Sequence, residues 1–407
     1  MTLQKVASRP QRGWRLLAIA MVASSAFMPP PAAARVLSRS PHASPAGTHG
    51  TASLLVHTMP GTTRAQVTVS TLLFVPGGRA PLGGWPIVAW AHGSTTPGSR
   101  RCAPSLSPDF DGGLTASGAK SDYGDEIASL VNAGYAVVAP DYEGLGAAAE
   151  SPNPGFNSRS IANALLSGIR AARSVEHDLS NQYLTVGHSD GARALLAFDQ
   201  LARHEAGLQH RGTVALAPFT SMRALIRIAG QRTAQGGDQV PAITAQNFIV
   251  AAVATGLKVQ SPQFDERQIM GADLAAVFPT LKNLCGIPAN KAVMDAVKHK
   301  GAANFRGILP GWADAPRMKR FLQANDPAEM PGLTIRHPML IVAGTNDDFV
   351  PVEPLRKLVA AQRTLGAPIT LVLQPGGNHF SIIKGRRDDV MRFIAKMFSD
   401  LPAKASR

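Results

Sequence analysis

Two kinds of apolar run alternate along the first half of the chain. Residues 53–56 and 66–75 read as short β-rich runs, and in the second run Val67, Val69 and Thr71 alternate with Thr68, Ser70 and Leu72. A two-residue period marks strands with unlike faces, so these are expected to be antiparallel edge strands. From residue 86 the text changes to PIVAWA, an unbroken apolar run that ends at His92-Gly93. Such runs suit strands covered on both faces in a parallel sheet. The cycle then repeats. Ile127, Leu130 and Val131 sit at helical spacing before a strand at residues 135–139, and Ile161, Leu165 and Ile169 precede another at 183–186. A helix over residues 192–201 leads to a strand at 213–216.

Near Phe219 the alternation stops. Residues 219–330 read as amphipathic helices, for example 245–257, 273–284 and 317–322, and strand signals return only at 338–343 and 369–373. Strands alternating with helices predict an α/β fold built on a mostly parallel, doubly wound sheet. The helical insertion about 219–330 is then expected to be a cap over the carboxyl edge of that sheet. Within it, residues 248–257 are apolar enough to line a cavity or to be simple helix core.

The start of the chain follows other rules. Lys5, Arg9, Arg12 and Arg15 precede the uncharged run LLAIAMVASSAFM (16–28), three prolines and Ala32-Ala33-Ala34. A basic stretch, a short apolar stretch and a small-residue end are the pattern of an export signal peptide, here residues 1–34; the competing reading is a buried N-terminal helix. The apolar run is shorter than the roughly 20 residues a membrane span needs, and no other stretch reads as a span. Residues 35–50, rich in Pro, Ser, Gly and Ala, read as a flexible linker, which leaves 51–407 as the folded domain.

Charge raises one further question. The 407 residues carry 41 Lys+Arg against 27 Asp+Glu, a net charge of +14. Nucleic-acid binders concentrate positive charge on one face or interleave it with aromatics. Here the basic residues are scattered, with runs no longer than pairs such as Arg100-Arg101, and aromatics make up only 6%. No nucleic-acid partner is expected; an anionic envelope or anionic substrates suit the charge equally well. Only Cys102 and Cys285 are present. In an exported protein an even pair is a candidate disulfide, two buried thiols being the alternative. No Cys or His pair has metal-ligand spacing, and neither a metal nor a cofactor is implied.

The chemistry centres on Gly187-His188-Ser189-Asp190-Gly191. By itself G-x-S-x-G is a weak signal, but here it closes an apolar strand and opens a helix, the setting of a nucleophile elbow. Ser189 is therefore the candidate nucleophile. A serine hydroxyl needs a base, and in this architecture the order is Ser, acid, His. His379, in Gly376-Gly377-Asn378-His379-Phe380, is the histidine that follows the candidate acids Asp347 and Asp348 in GTNDDFVP (344–351). His188, beside the nucleophile, is expected to support the turn. The oxyanion donors are expected to be the backbone N–H of Asp190 and one from the loop after residues 86–91, with Ser94 preferred and Thr95 next.

Together the blocks AWAHGSTTPGSRRCAPS (89–105), APDYEGLG (139–146), VGHSDGARA (186–194), NDPAEMPGL (325–333), PMLIVAGTNDDFVPV (338–352) and GGNHF (376–380) resemble the secretory lipase family of α/β-hydrolases, the lipase A type, over about residues 52–400. The resemblance implies an α/β-hydrolase fold, a helical cap carrying an acyl pocket, and a Ser-Asp-His esterase. It places the acid on Asp347, which precedes x-x-Val-Pro as in the family pattern, and the base on His379. It also implies a partner near the cap for the cysteine of the CAPS block, which makes Cys102–Cys285 the pair. Asp190 stands where the family often has Gln, and AAAESPNPGF (147–156) lacks the family's Thr-Pro-Gly and His-Pro-Tyr pattern; both bear on substrate preference. The expected function is exported carboxylic-ester hydrolysis of a small-molecule or lipid ester, with transient contact at a lipid interface. Acyl transfer to an envelope acceptor, peptidase activity and a silent hydrolase-fold binding protein are the alternatives.

Overall fold

The computed structural model describes residues 1–2, 34–95, 99–112, 121–202, 207–234 and 239–399. The export signal expected over residues 1–34 therefore lies almost wholly outside the described residues, and the compact unit of interest begins at Ala33. Along the described chain the strands are β1 (Val36–Pro41), β2 (Gly50–Pro60), β3 (Gln66–Pro76), β4 (Trp85–Ala91), β5 (Ala136–Pro140), β6 (Leu179–His188), β7 (Gln209–Leu216), β8 (Met339–Gly344) and β9 (Ile369–Gln374). They form one sheet in the order β1-β2-β3-β5-β4-β6-β7-β8-β9. The pairings β1·β2, β2·β3 and β3·β5 are antiparallel, and the rest are parallel.

Helices cover both faces of this sheet. On one face α1 (Tyr123–Asn132), α11 (Ser381–Gly385) and α12 (Arg387–Met397) bury Tyr123, Ile127, Leu130, Ile382 and Ile394 against Val88, Val137, Val214 and Val342. On the other, α2 (Ser158–Val175), α3 (Asp190–Leu196), α4 (Phe198–Ala202) and α10 (Val352–Thr364) bury Ile161, Leu165, Leu195, Phe198 and Leu355. Strands such as β4, buried at every residue, read as continuous apolar runs because both of their faces are covered. Helix α2 starts where the Asn157 side chain accepts from Ser160 N, 2.9 Å, satisfying one of the amides that a first turn leaves unpaired.

Three expectations need correction. Residues 35–50 are no linker: β1 pairs with β2 from Val36 opposite His57 to Pro41 opposite Ser53, and Arg39 Nη1 donates to Val175 O at 2.9 Å. An edge strand with most of its residues exposed needs no apolar alternation, so its Ser- and Arg-rich text resembles a tether. Consequently β2 and β3 are interior rather than edge strands. The helix expected over 192–201 is two helices separated at Ala197.

Between β7 and β8 lie α5 (Met222–Ala234), α6 (Gln239–Gln260), α7 (Ala272–Leu281), α8 (Gly286–Lys300) and α9 (Pro316–Asn325). They bury a core of their own that includes Phe156, Phe219, Met222, Phe264, Phe278, Trp312 and Phe321. Helix α6 is long and apolar enough to cross a membrane by length and composition, which the sequence reading had not allowed for. Residues 250–257 of α6 are buried in this helical core, and that packing accounts for their apolarity. A disulfide joins Cys102, after β4, to Cys285 at the start of α8. Beside it, Gly286 N donates to Thr95 O at 2.6 Å, so the insertion is fastened to the loop that follows β4.

Candidate active site

Parallel register brings the carboxyl ends of the central strands together. Ala91 of β4 lies opposite Gly187 of β6, His188 opposite Leu216 of β7, Leu216 opposite Val342 of β8, and Gly344 opposite Gln374 of β9. The residues that leave these strands, 92–95, 189, 345–350 and 377–380, therefore emerge along one edge, where open α/β sheets form their crevices.

Ser189 sits at the sharpest of these exits. Its φ of +52° and ψ of −114° lie in a region that side-chain-bearing residues rarely occupy. Ser189 N donates to Leu216 O at 2.9 Å, and Arg193 N to Ser189 O at 2.9 Å, so strand and helix clamp the turn from both sides. The flanking glycines are required by space. A Cβ on Gly191 would stand 2.3 Å from Ala91 O, and one on Gly187 would meet Leu195 Cδ1 at 2.7 Å.

His379 reaches the serine from the loop after β9. Its Nε2 is 3.0 Å from Ser189 Oγ, and its Nδ1 is 2.8 Å from Asp347 Oδ2. The other carboxylate oxygen of Asp347 accepts Phe349 N at 2.9 Å and Val350 N at 2.8 Å. Because a carboxylate only accepts, Nδ1 carries the proton, leaving Nε2 as the acceptor facing the serine hydroxyl. Asp347 and His379 are buried, whereas Asp348 is exposed. Of the two adjacent aspartates, Asp347 is thus the one placed on the histidine.

A family model described as the alpha/beta hydrolase family matches residues 72–392. The chain belongs to that family. Among solved structures, Candida antarctica lipase A in its closed state superposes with a TM-score of 0.70 at 18% identity, covering 91% of this chain and 83% of that one. The rice cell wall degrading esterase LipA from Xanthomonas oryzae gives a TM-score of 0.66 at 19% identity, covering 90% and 97%. No curated protein matches the sequence. The fold is that of lipase-type α/β-hydrolases.

Within this α/β-hydrolase, several supporting groups were invisible in the sequence. His188 Nε2 donates to His379 O at 2.9 Å, so its Nδ1 accepts from the Tyr123 hydroxyl at 2.7 Å. That hydroxyl in turn accepts Gly93 N at 3.0 Å. The chain of bonds ties the β4 exit loop to the backbone of His379. Burial holds His188 well below the usual imidazole range and raises the Tyr123 hydroxyl, keeping both neutral. His92, stacked on Tyr142 with ring centres 3.8 Å apart, is pushed down to about 4 by burial. The expectation that His188 supports the turn matches this placement; Tyr123 lies far away in sequence and carries no motif, while Tyr142 lies in the block APDYEGLG without any sign of its partner.

Asp190 follows Ser189 at the first residue of α3, and its carboxylate turns to Arg193, with Oδ1 2.8 Å from Nε and 2.7 Å from Nη2. Burial raises the Asp190 carboxyl and the Arg193 charge opposes that rise. Fully buried, Arg193 also donates to Ser158 Oγ at 2.7 Å and to Asn325 O, and lies over the rings of Phe156 and Phe219 at 5.9 and 5.4 Å. The guanidinium thus links α3 to both ends of the helical insertion. In the β4 exit loop Gly93 N is committed to Tyr123, and half-buried Ser94 is the next amide along.

Proposed function

We propose that this protein is an exported serine carboxylic-ester hydrolase of the lipase/esterase type. The observation that carries the reading is the line of contacts from Asp347 through His379 to Ser189, at 2.8 and 3.0 Å, on a strained elbow. In the proposed reaction His379 Nε2 takes the Ser189 proton as Oγ attacks the ester carbonyl, and Asp347 steadies the resulting imidazolium. The tetrahedral oxyanion is received by the amides of Ser94 and Asp190. Collapse expels the alcohol, protonated by His379, and leaves an acyl-enzyme. Water, activated by the same histidine, then releases the acid and restores Ser189.

The Asp190 carboxylate is the group that threatens this scheme, because negative charge beside a developing oxyanion opposes it. Its pairing with buried Arg193 neutralises that charge. The leader pattern over residues 1–34 and the Cys102–Cys285 bridge support export. A small-molecule or lipid ester is the proposed substrate, in keeping with the lipase and esterase among the structural neighbours.

The test is hydrolysis of p-nitrophenyl esters from acetate to palmitate by the protein lacking residues 1–34 and by its Ser189→Ala variant. Loss of at least about 10³-fold in kcat, with an unchanged circular dichroism spectrum, is expected in the variant. A folded wild type inactive on every chain length would overturn the reading.

A further inference from the structure

At the other end of the sheet a second cluster of chemical groups gathers, away from the serine. Asp199 from α4, His210 near the start of β7 and His337 just before β8 bring their ligand atoms within 4.8 Å of one another. Asp199 Oδ1 lies 2.6 Å from His337 Nδ1 and 3.3 Å from His210 Nδ1. From His210 to Leu216, whose carbonyl holds the Ser189 amide, β7 spans six residues, or ~20 Å at the strand rise. The cluster is therefore separate from the proposed catalytic groups.

We propose that Asp199, His210 and His337 form a binding site for a divalent first-row transition ion, for which zinc is the probe. Four features of a metal site meet here. The donor set, two imidazoles and a carboxylate, is one that zinc accepts. The ligands are fixed by outer partners: Asp199 Oδ2 accepts Arg336 N at 2.7 Å and His337 N at 2.9 Å, while His210 Nε2 lies 3.3 Å from Thr213 Oγ1 and 3.4 Å from Thr185 Oγ1. Tyr183 stacks on the His210 ring at 5.1 Å and Phe198 meets it at 5.1 Å, so the ring is held in place. Finally, the Asp199 and His210 side chains are 7% and 8% exposed but that of His337 is 44% exposed, which leaves an approach from solvent.

Spacing agrees with this reading. Metal–ligand bonds of ~2.0–2.1 Å in a tetrahedron put neighbouring donors ~3.3 Å apart. The Asp199–His210 pair already stands at that distance. The Asp199–His337 pair, at 2.6 Å, has to open by ~0.7 Å to reach it, and His337 is the least buried of the three. An occupied site would clip α4 to the starts of β7 and β8. Local spacing rules could not find it, because its ligands come from positions 199, 210 and 337.

The test uses the full-length chain after chelator treatment, titrated with zinc chloride by calorimetry, alongside His337→Ala and a surface control, His299→Ala. One zinc per chain is expected at micromolar affinity or better, weakened at least tenfold in His337→Ala and unchanged in His299→Ala. Cobalt substitution should give the visible bands of a tetrahedral site in the wild type and lose them in His337→Ala. Zinc at a hundred times its Kd should raise Tm by several degrees in the wild type only. Absence of zinc binding to the wild type, or equal binding by His337→Ala, would reduce the cluster to a hydrogen-bonded Asp–His pair and end the proposal.

Discussion

At the residue scale, the elbow's two glycines are unequal. A methyl at Gly191 stands 2.3 Å from the Ala91 carbonyl oxygen, which is backbone in a buried strand, whereas one at Gly187 meets the end of the Leu195 side chain at 2.7 Å and backbone only at 3.0 Å. The deeper overlap with backbone is the one at Gly191. Gly191→Ala is therefore expected to destabilise by more than ~3 kcal/mol and Gly187→Ala by less, as urea unfolding would read; equal losses would refute the spatial argument. His57 offers a second residue-scale prediction. Buried in β2 with Nε2 2.8 Å from Thr71 Oγ1, it is pushed down to about 4 from 6.5, chiefly by burial. Between those two pH values the unfolded chain binds a proton that the folded chain refuses. Its contribution is thus complete above pH 6.5 and lost as pH falls towards 4, by about 3 kcal/mol in all. Stability measured at pH 7 and pH 4.5 should fall more for the wild type than for His57→Gln; parallel falls would acquit His57.

At the scale of elements, strands β4 to β8 were legible because burial on both faces writes their centres as apolar runs, half-buried β9 was legible from its run ITLVL at the sheet edge, and the elbow was legible because its glycines answer a steric demand. The order Ser, acid, His then pointed to the residues now found within hydrogen-bond reach of one another. What the text concealed has a common cause. Strand β1 spends its side chains on solvent, so nothing in its composition separates it from a tether. The Tyr123–His188 and Arg193–Asn325 contacts join residues 65 and 132 positions apart, and such pairs leave no local period. Asp347 and Asp348 were equivalent as text until the family pattern, and then the fold, distinguished them. Helix α6 carried the opposite risk: its apolar stretch is long enough to suggest a membrane, yet residues 250–257 face protein.

At the scale of the whole molecule, the Cys102–Cys285 bridge closes a loop of 183 residues that holds the elbow and half the helical insertion. In the chain-entropy picture a closure of that length contributes up to ~5 kcal/mol. Replacing both cysteines by serine is expected to lower unfolding stability by about 2–5 kcal/mol. Reduction of the wild type should reproduce the effect; an unchanged urea midpoint in both would show that packing alone holds the insertion. The sheet order carries a consequence for synthesis. Asp347 and His379 leave β8 and β9, the last two strands along one side of the sheet and the last two in chain order among the described residues. A ribosome releases Ser189 some 190 residues before its histidine. Nascent and prematurely terminated chains thus present Ser189 without the histidine that stands 3.0 Å from it, and the proposed catalytic line is assembled only when β8 and β9 have docked.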